Sequence, residues 1–107
     1  MSFVTYVPVV EATEIAAGTM RKVDFDGRSI VVAKVEGAYF AFRPDCPHSG
    51  TNLALGSLDG KVVECPNHHF RFDLKTGKLI DPIGGCPDMA VFTIEERDGM
   101  LCLKLEI

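Results

Sequence analysis

The sequence is short of positive charge and of long apolar runs, and both shortages argue against whole classes of protein. Its 107 residues contain 11 Lys and Arg against 15 Asp and Glu, which gives a formal net charge of −4 and a pI near 5.2. A nucleic-acid or anionic membrane surface needs clustered Lys and Arg, so a partner with a basic face suits the chain better. No apolar run approaches the roughly 18 residues of a membrane span. The start, MSFVTYVPVV, also lacks the regions of a signal peptide, so we expect a cytoplasmic protein.

The sequence also lacks low-complexity segments, internal repeats and any Pro/Gly/Ser-rich linker that would divide it. A chain of 107 residues fits one domain with a modest core. We therefore expect residues 1–107 to form a single domain. Four cysteines in a reducing compartment are more typical of metal ligands than of a disulfide framework.

Short apolar, β-branched runs recur along the chain and are separated by turn signals, several of which place Gly after Asp as tight hairpins prefer. The predicted strands cover residues 3–10, 20–25, 29–35, 38–42, 61–64, 89–95 and 100–107. The predicted turns cover residues 24–27, 35–37, 57–60, 75–78 and 96–99. Residues 11–18 could hold a helical turn, and this segment is too short for a helix that is stable alone. The pattern predicts an all-β fold.

Two short segments each pair a cysteine with a histidine: Cys46 with His48, and Cys65 with His68. Sixteen residues, 49–64, separate the pairs, and each pair follows a predicted strand. Two such loops at one end of a sheet can converge, and two thiolates with two imidazoles suit iron or zinc. Structural zinc motifs usually space the ligands of one loop two to four residues apart, so the C-x-H gap is unusual for zinc. A zinc-stabilised interaction module remains an alternative.

The CPH segment, the spacer of sixteen and CPNH resemble the Rieske iron–sulfur motif, and the following FRFDLKTGK continues the F-D-x-x-T-G run of that family. The resemblance is strongest over residues 39–82. It implies one [2Fe-2S] cluster in which Cys46 and Cys65 hold one iron and His48 and His68 hold the other. It also implies the Rieske fold of stacked antiparallel β-sheets with a small cluster-binding subdomain.

The resemblance further implies three loops around the cluster. Two are ligand loops, at about residues 44–52 and 64–72. The third is a proline loop at about residues 81–87, in which Pro82 is the candidate for covering the cluster. The position after the second ligand histidine is usually glycine in the family, and here it is His69. We expect His68 to be the ligand and His69 to be a partly exposed neighbour of the cluster.

Rieske subunits of the respiratory and photosynthetic cytochrome complexes carry an additional cysteine in each ligand loop, and these two cysteines bridge the loops. They also carry a serine and a tyrosine that donate hydrogen bonds to sulfur. The matching positions here are Thr51, Asn67, Phe70 and Phe72. Hydrogen bonds to sulfur stabilise the reduced cluster, and these four residues provide fewer of them. The differences therefore predict a low-potential centre. Those subunits also have a membrane anchor, and we expect none here, because the sequence contains no apolar run long enough to span a membrane.

The two remaining cysteines, Cys86 and Cys102, lack the spacing of the ligand pairs and are expected to be free thiols, with Cys102 in the core. Three histidines are too few for the second, mononuclear iron of a Rieske oxygenase, and no phosphate-binding glycine loop is present. We therefore expect an electron carrier and no enzyme activity of its own.

The resemblance implies a ferredoxin that carries single electrons from a flavin reductase to a terminal ring-hydroxylating oxygenase. Both partners would dock transiently at the tip where His48 and His68 lie. An alternative is the small Rieske subunit of an assimilatory nitrite reductase.

Overall fold

The computed structural model describes residues 3–106, which form three antiparallel sheets connected by short loops. The strands are β1 (Val4–Glu11), β2 (Met20–Phe25), β3 (Arg28–Val35), β4 (Ala38–Phe42), β5 (Ser57–Asp59), β6 (Val62–Glu64), β7 (Arg71–Asp73), β8 (Leu79–Asp81), β9 (Val91–Phe92), β10 (Ile94–Arg97) and β11 (Met100–Glu106). The sheets have the strand orders β1-β11-β10, β2-β3-β4-β9 and β5-β6-β7-β8. The all-β prediction is confirmed.

The tight hairpins form where the sequence places a glycine after an acidic residue. Between β2 and β3, Asp26 and Gly27 have φ angles of 48° and 74°. Two consecutive residues with positive φ define the type I′ turn, whose twist matches that of the flanking strands. The β3–β4 and β10–β11 hairpins use Glu36–Gly37 and Asp98–Gly99 with positive φ angles in the same way. These turns fix the register of the strands that lead to the site.

Strand β3 is buried on both faces, and this places its sheet between the other two. Ile30 and Val32 belong to one apolar cluster, together with side chains of β1 and β11. Val31 and Ala33, which point to the opposite face, belong to a second cluster under the β5-β8 sheet. This second cluster contains the side chains of the following residues: Phe42, Leu53, Val63, Phe70, Phe72, Leu74, Cys46 and Cys65. The predicted stacking of sheets is therefore present, and the cysteines of the ligand pairs lie in one of its cores.

Several local predictions need correction. Strands β5, β7 and β8 were not predicted, and residues 57–59 of β5 were assigned to a turn. The predicted strand 89–95 is two short strands, β9 and β10, which pair with different sheets and separate at Thr93. The helical turn predicted within 11–18 is confirmed as a 3-10 turn, Ala12–Glu14, and a second turn at Leu53–Leu55 was missed. Residue 107 of the last predicted strand lies outside the described residues.

Both helices found among residues 3–106 are single 3-10 turns, so no helix in this range is long and apolar enough to cross a membrane. The four cysteines form no disulfide, which confirms the prediction that Cys86 and Cys102 are free thiols.

Candidate metal centre

The first ligand loop leaves β4 and closes on itself around Cys46. The Cys46 N–H donates to the carbonyl of Thr51 at 2.9 Å, and the N–H of Gly50 donates to the carbonyl of Cys46 at 2.8 Å. Asp45 and Asn52 pair as an isolated β-bridge at the base of the loop. Gly50 has a φ of 73°, a conformation that glycine adopts without strain. The loop thus turns back within a few residues and presents its tip away from the core.

The second ligand loop connects β6 to β7 and is closed by a hydrogen bond from the Cys65 N–H to the carbonyl of Phe70 at 2.8 Å. Its tip contains two consecutive residues in the left-handed region, His68 with φ 67° and His69 with φ 59°. Such φ angles are uncommon for residues other than glycine, although histidine is among the residues enriched there. The loop therefore tolerates a histidine where the family usually has glycine.

The two loops place the four predicted ligand side chains in two pairs, one of thiols and one of imidazoles. The side chains of Cys46 and Cys65 are neighbours, and the two residues are only 2% and 0% exposed. The imidazole rings of His48 and His68 are both exposed, and their centroids lie 5.4 Å apart with the ring planes inclined by 49°. Sulfur donors therefore lie on the protein side of the site, and nitrogen donors lie on the solvent side.

The two thiols differ in how readily they ionise. Burial opposes ionisation of Cys46, but hydrogen bonds from the backbone N–H groups of Ser49 and His48 outweigh it and lower the pKa of Cys46. Burial raises the pKa of Cys65, and the neighbouring Cys46 raises it further. The Cys46 thiolate is thus favoured over that of Cys65, and its charge opposes ionisation of Cys65, because like charges in close contact repel. A bound cation would relieve this repulsion and displace the remaining proton.

Phe70 and the third loop support the imidazole side of the site. The Phe70 ring stacks on the His48 ring with a centroid distance of 4.0 Å and an interplanar angle of 11°. Gly85 lies directly behind Phe70, since a Cβ added at Gly85 would be 2.9 Å from both the Phe70 ring and the Pro82 ring. The loop predicted at residues 81–87 therefore reaches the site through Phe70, and Pro82 itself is exposed. The stacking of Phe70 on His48 was not predicted from the sequence.

Cys86 lies in the third loop and packs against the same core as Cys46 and Cys65. Burial raises the pKa of Cys86, and the negative charges of Cys46, Asp88 and Cys65 raise it further. Cys86 is therefore a protonated, weakly nucleophilic thiol at neutral pH.

His69 points to a carboxylate. Its Nδ1 lies 3.0 Å from Glu64 Oε2, and its side chain is 75% exposed. Glu64 is also approached by Arg71, whose Nε lies 3.7 Å from Glu64 Oε1. This geometry agrees with the expectation that His69 is an exposed neighbour of the site.

Sequence reasoning missed one polar side chain at the site, Ser49. Its Oγ lies 3.9 Å from the Cys65 Sγ and 2.9 Å from the Thr51 Oγ1. Thr51 in turn accepts a hydrogen bond from Asn67 Nδ2 at 3.5 Å. No spacing rule points to Ser49, because its proximity to Cys65 arises only when the two loops are brought together.

The arrangement of the donors distinguishes a mononuclear from a dinuclear metal group. A single zinc ion needs its ligands within about 2.0 to 2.3 Å of one point. Within residues 3–106, no group of three or more His, Cys, Asp or Glu side chains is placed to share one metal ion. The separation into a thiol pair and an imidazole pair instead matches two irons with different ligands, as in a Rieske [2Fe-2S] centre. The residues present therefore fit that group.

Comparisons with known proteins agree with this geometry. The model of the Rieske [2Fe-2S] domain family matches residues 5–92. The biphenyl dioxygenase ferredoxin subunit of Pseudomonas sp. (strain KKS102) is 33% identical over 97 residues, which cover 88% of this chain and 88% of that protein.

Among solved structures, a chain of the complex of reduced oxygenase and oxidized ferredoxin in carbazole 1,9a-dioxygenase superposes with a TM-score of 0.82 at 29% identity. The match covers 92% of this chain and 91% of that chain. The Sphingomonas yanoikuyae B1 ferredoxin superposes with a TM-score of 0.85 over 94% of this chain and 99% of its own. At 22% identity, this second likeness shows the fold alone.

Proposed function

The chain belongs to the Rieske [2Fe-2S] domain family, and we propose that it is a ferredoxin carrying single electrons from a flavin reductase to a terminal ring-hydroxylating oxygenase. The match over residues 5–92 and the relatives from dioxygenase systems support this function. The single observation that carries it is the pairing of donors by type: the two exposed imidazoles lie 5.4 Å apart, and the two cysteines are buried.

The proposed ligands are Cys46 and Cys65 for one iron and His48 and His68 for the other. We propose one cluster per chain, held at the tip where His48 and His68 lie, because the chain has one C-x-H and one C-x-x-H segment and Cys86 and Cys102 lie outside that pattern. We also propose that residues 1–107 act as one domain with this tip as its functional end. When bound, the cluster supplies a centre that accepts and gives up one electron at a time.

The residues around the site determine whether water and partner proteins can contact it. Cys46 and Cys65 lie in the second apolar cluster, so their side of the site is closed to water. His48 and His68 are exposed, so a partner can contact the imidazole edges without any rearrangement of the loops. This arrangement suits brief docking of two different partners at the same tip, and it does not require a substrate pocket.

We propose a low reduction potential within the Rieske range. The positions of the loop-bridging disulfide of cytochrome-complex subunits hold Thr51 and Asn67, which make only a 3.5 Å hydrogen bond. The positions of their serine and tyrosine donors hold the buried Phe70 and Phe72, which donate nothing to sulfur. Both differences reduce the stabilisation of added negative charge.

The test is a reconstituted electron-transfer chain. The purified protein is mixed with a flavin-dependent ferredoxin reductase, NADH and the terminal oxygenase of a biphenyl dioxygenase system, and product formation is measured. We expect turnover that depends on this chain, because the biphenyl ferredoxin subunit is 33% identical to it. A protein that is reduced by the reductase and reoxidised by no oxygenase would contradict the proposed partner.

Two single variants test the assignment of His68 as the ligand. The change His68→Ala should abolish the cluster, and His69→Ala, at the adjacent exposed position, should retain it. Iron content and visible absorbance of the two purified proteins measure this directly. Cluster loss in His69→Ala with retention in His68→Ala would overturn the assignment.

A further inference from the structure

A cleft of about 680 Å³, called the basal cleft below, lies beside the base of the first ligand loop. Its lining includes Asp45 and Asn52, which form the β-bridge at the base of that loop, and none of the four proposed iron ligands. The volume is within the roughly 300 to 1,000 Å³ of typical small-molecule sites. The basal cleft can therefore hold a ligand at a place distinct from the candidate metal centre.

One part of the lining is apolar. Its side chains come from β2, β3, β9 and β11 and are Phe25, Ile30, Phe92, Leu103 and Leu105. All five belong to, or pack against, the apolar cluster that β3 shares with β1 and β11. Ile30 and Leu103 are buried, whereas the other three are half-buried. A ligand with an apolar body would cover the exposed surface of these three side chains, and the removal of apolar surface from water favours binding.

The charged part of the lining is mostly positive. Lys22, Arg28 and Arg43 line the basal cleft, and Asp45 is the one acidic residue of the lining. All three basic residues are exposed. Among the side chains described for residues 3–105, the ion pairs use other basic residues, so these three have no carboxylate partner in that range. The basal cleft thus has an excess of positive charge in a chain whose net charge is −4, and it attracts an anion that the chain as a whole repels.

We propose that the basal cleft binds an organic monocarboxylate with an apolar body. The body lies on the half-buried Phe25, Phe92 and Leu105, and the carboxylate pairs with the basic side chains. A guanidinium group matches the geometry of a carboxylate and can donate two parallel hydrogen bonds to it. The inference is independent of the proposed function, because it uses no ligand of the metal centre.

The lining favours a ligand that has both parts. A small inorganic anion leaves the apolar side chains in water, and a neutral apolar molecule leaves the three basic side chains unpaired. A second carboxylate on the ligand is disfavoured, because Asp45 places a negative charge in the same lining.

The test is isothermal titration calorimetry of the purified, cluster-containing protein at one fixed, low ionic strength. The probes are octanoate, 1-octanol, which has the same apolar body without the charge, and acetate, which has the charge without the body. We expect octanoate to bind at one site per chain, about twofold to tenfold more tightly than 1-octanol, since ion pairs at exposed side chains are modest in strength. Acetate should give no detectable binding. Binding of 1-octanol as tight as that of octanoate would overturn the proposal, and so would the absence of octanoate binding.

Variants locate the binding. Arg28→Gln and Arg43→Gln should each weaken octanoate binding about twofold to fivefold and leave 1-octanol binding unchanged. Arg21→Gln is the matched control: Arg21 is also exposed and lies in β2, but it pairs with Glu14 and is outside the lining. This control removes the same charge and should leave both affinities unchanged. Equal octanoate affinities in all three variants would overturn the role of the basic side chains.

A fourth variant tests the cleft itself. Ala90 is exposed and belongs to the lining, so Ala90→Phe should occupy part of the space without disturbing a buried side chain. We expect this variant to lose binding of both octanoate and 1-octanol, with an unchanged circular dichroism spectrum. Full octanoate affinity in Ala90→Phe would place the bound acid elsewhere and overturn the proposal. Failure of the proposed function has a different signature, since it is measured by iron content and EPR and not by octanoate binding.

Discussion

The stacking of Phe70 on His48 makes a prediction that separates support of a ligand from ordinary core packing. Phe70 and Phe72 lie two residues apart in one apolar cluster, and they are 8% and 0% exposed. Phe70 stacks on the His48 ring at 4.0 Å. Phe72 lies in β7 between Val63 of β6 and Leu79 of β8. The changes Phe70→Leu and Phe72→Leu are therefore a matched pair.

The expected magnitudes follow from what each ring contacts. Truncating a buried phenylalanine to alanine costs about 3 to 5 kcal/mol, and leucine retains much of the volume, so each change should cost about 1 to 2 kcal/mol in packing. Phe70→Leu additionally loses a stacked ring pair, which is worth about 0.5 to 1.5 kcal/mol. This additional loss falls on the group that holds His48 in place. If the lost stacking energy lowers the barrier to opening of the site by the same amount, the cluster should be lost about twofold to tenfold faster.

The assay is the rate at which the visible absorbance of the cluster bleaches at one fixed temperature and pH. Thermal unfolding of both variants, followed by circular dichroism, provides the packing cost of each change. We expect Phe70→Leu to bleach about twofold to tenfold faster than Phe72→Leu after allowance for any difference in unfolding. Equal bleaching rates at equal stability would refute the reasoning, since Phe70 would then be a core residue with no specific action on His48.

Further predictions concern the glycines, a turn carboxylate and a thiol. Gly77→Ala should lower the denaturation midpoint far more than Gly99→Ala, although both glycines have positive φ. A Cβ at Gly77 would lie 2.0 Å from the Met89 carbonyl oxygen, whereas a Cβ at Gly99 would contact nothing within 4 Å. An equal fall in the midpoint for both variants would show that the positive φ alone, and not the steric clash, determines the cost. Asp73→Ala should cost about 0.5 to 2 kcal/mol by urea unfolding, as for other side-chain caps, because the carboxylate accepts two backbone N–H bonds at 2.7 and 3.1 Å; an unchanged midpoint would contradict this. Iodoacetamide should modify Cys86 more slowly in the folded protein than in urea at pH 8, because burial raises the pKa of Cys86 and leaves less thiolate. The modification rate is measured by mass spectrometry, and equal rates in the two conditions would contradict the raised pKa.

The sequence was most informative where one residue type has one physical use. The pairs Asp26–Gly27 and Asp98–Gly99 were predicted as hairpin turns because few residues accept positive φ, and both adopt it. The strands β5, β7 and β8 escaped prediction because none contains adjacent β-branched residues like the two valines of the equally short β6. Thr93 divides a run that reads as one strand, since the two halves find different partners only in the folded chain.

The same distinction applies to the site. The donor types and spacing of Cys46, His48, Cys65 and His68 are local features, and the folded loops place the two cysteines beside one another and the two imidazoles beside one another. The contact of Ser49 with Cys65 depends on how two loops approach one another. No pattern within either loop encodes that approach, and the same holds for the stacking of Phe70 on His48. Residues that hold a metal can thus be read from spacing, and residues that adjust its properties required the structure.

The central claim is that Cys46, His48, Cys65 and His68 hold a [2Fe-2S] cluster with two different iron environments. The most direct measurement is an EPR spectrum of the purified, dithionite-reduced protein, with iron, sulfide and zinc determined on the same sample. We expect two irons and two sulfides per chain and a rhombic signal with the low average g value of mixed histidine and cysteine ligation. An EPR-silent, colourless protein that contains one zinc per chain would contradict the claim.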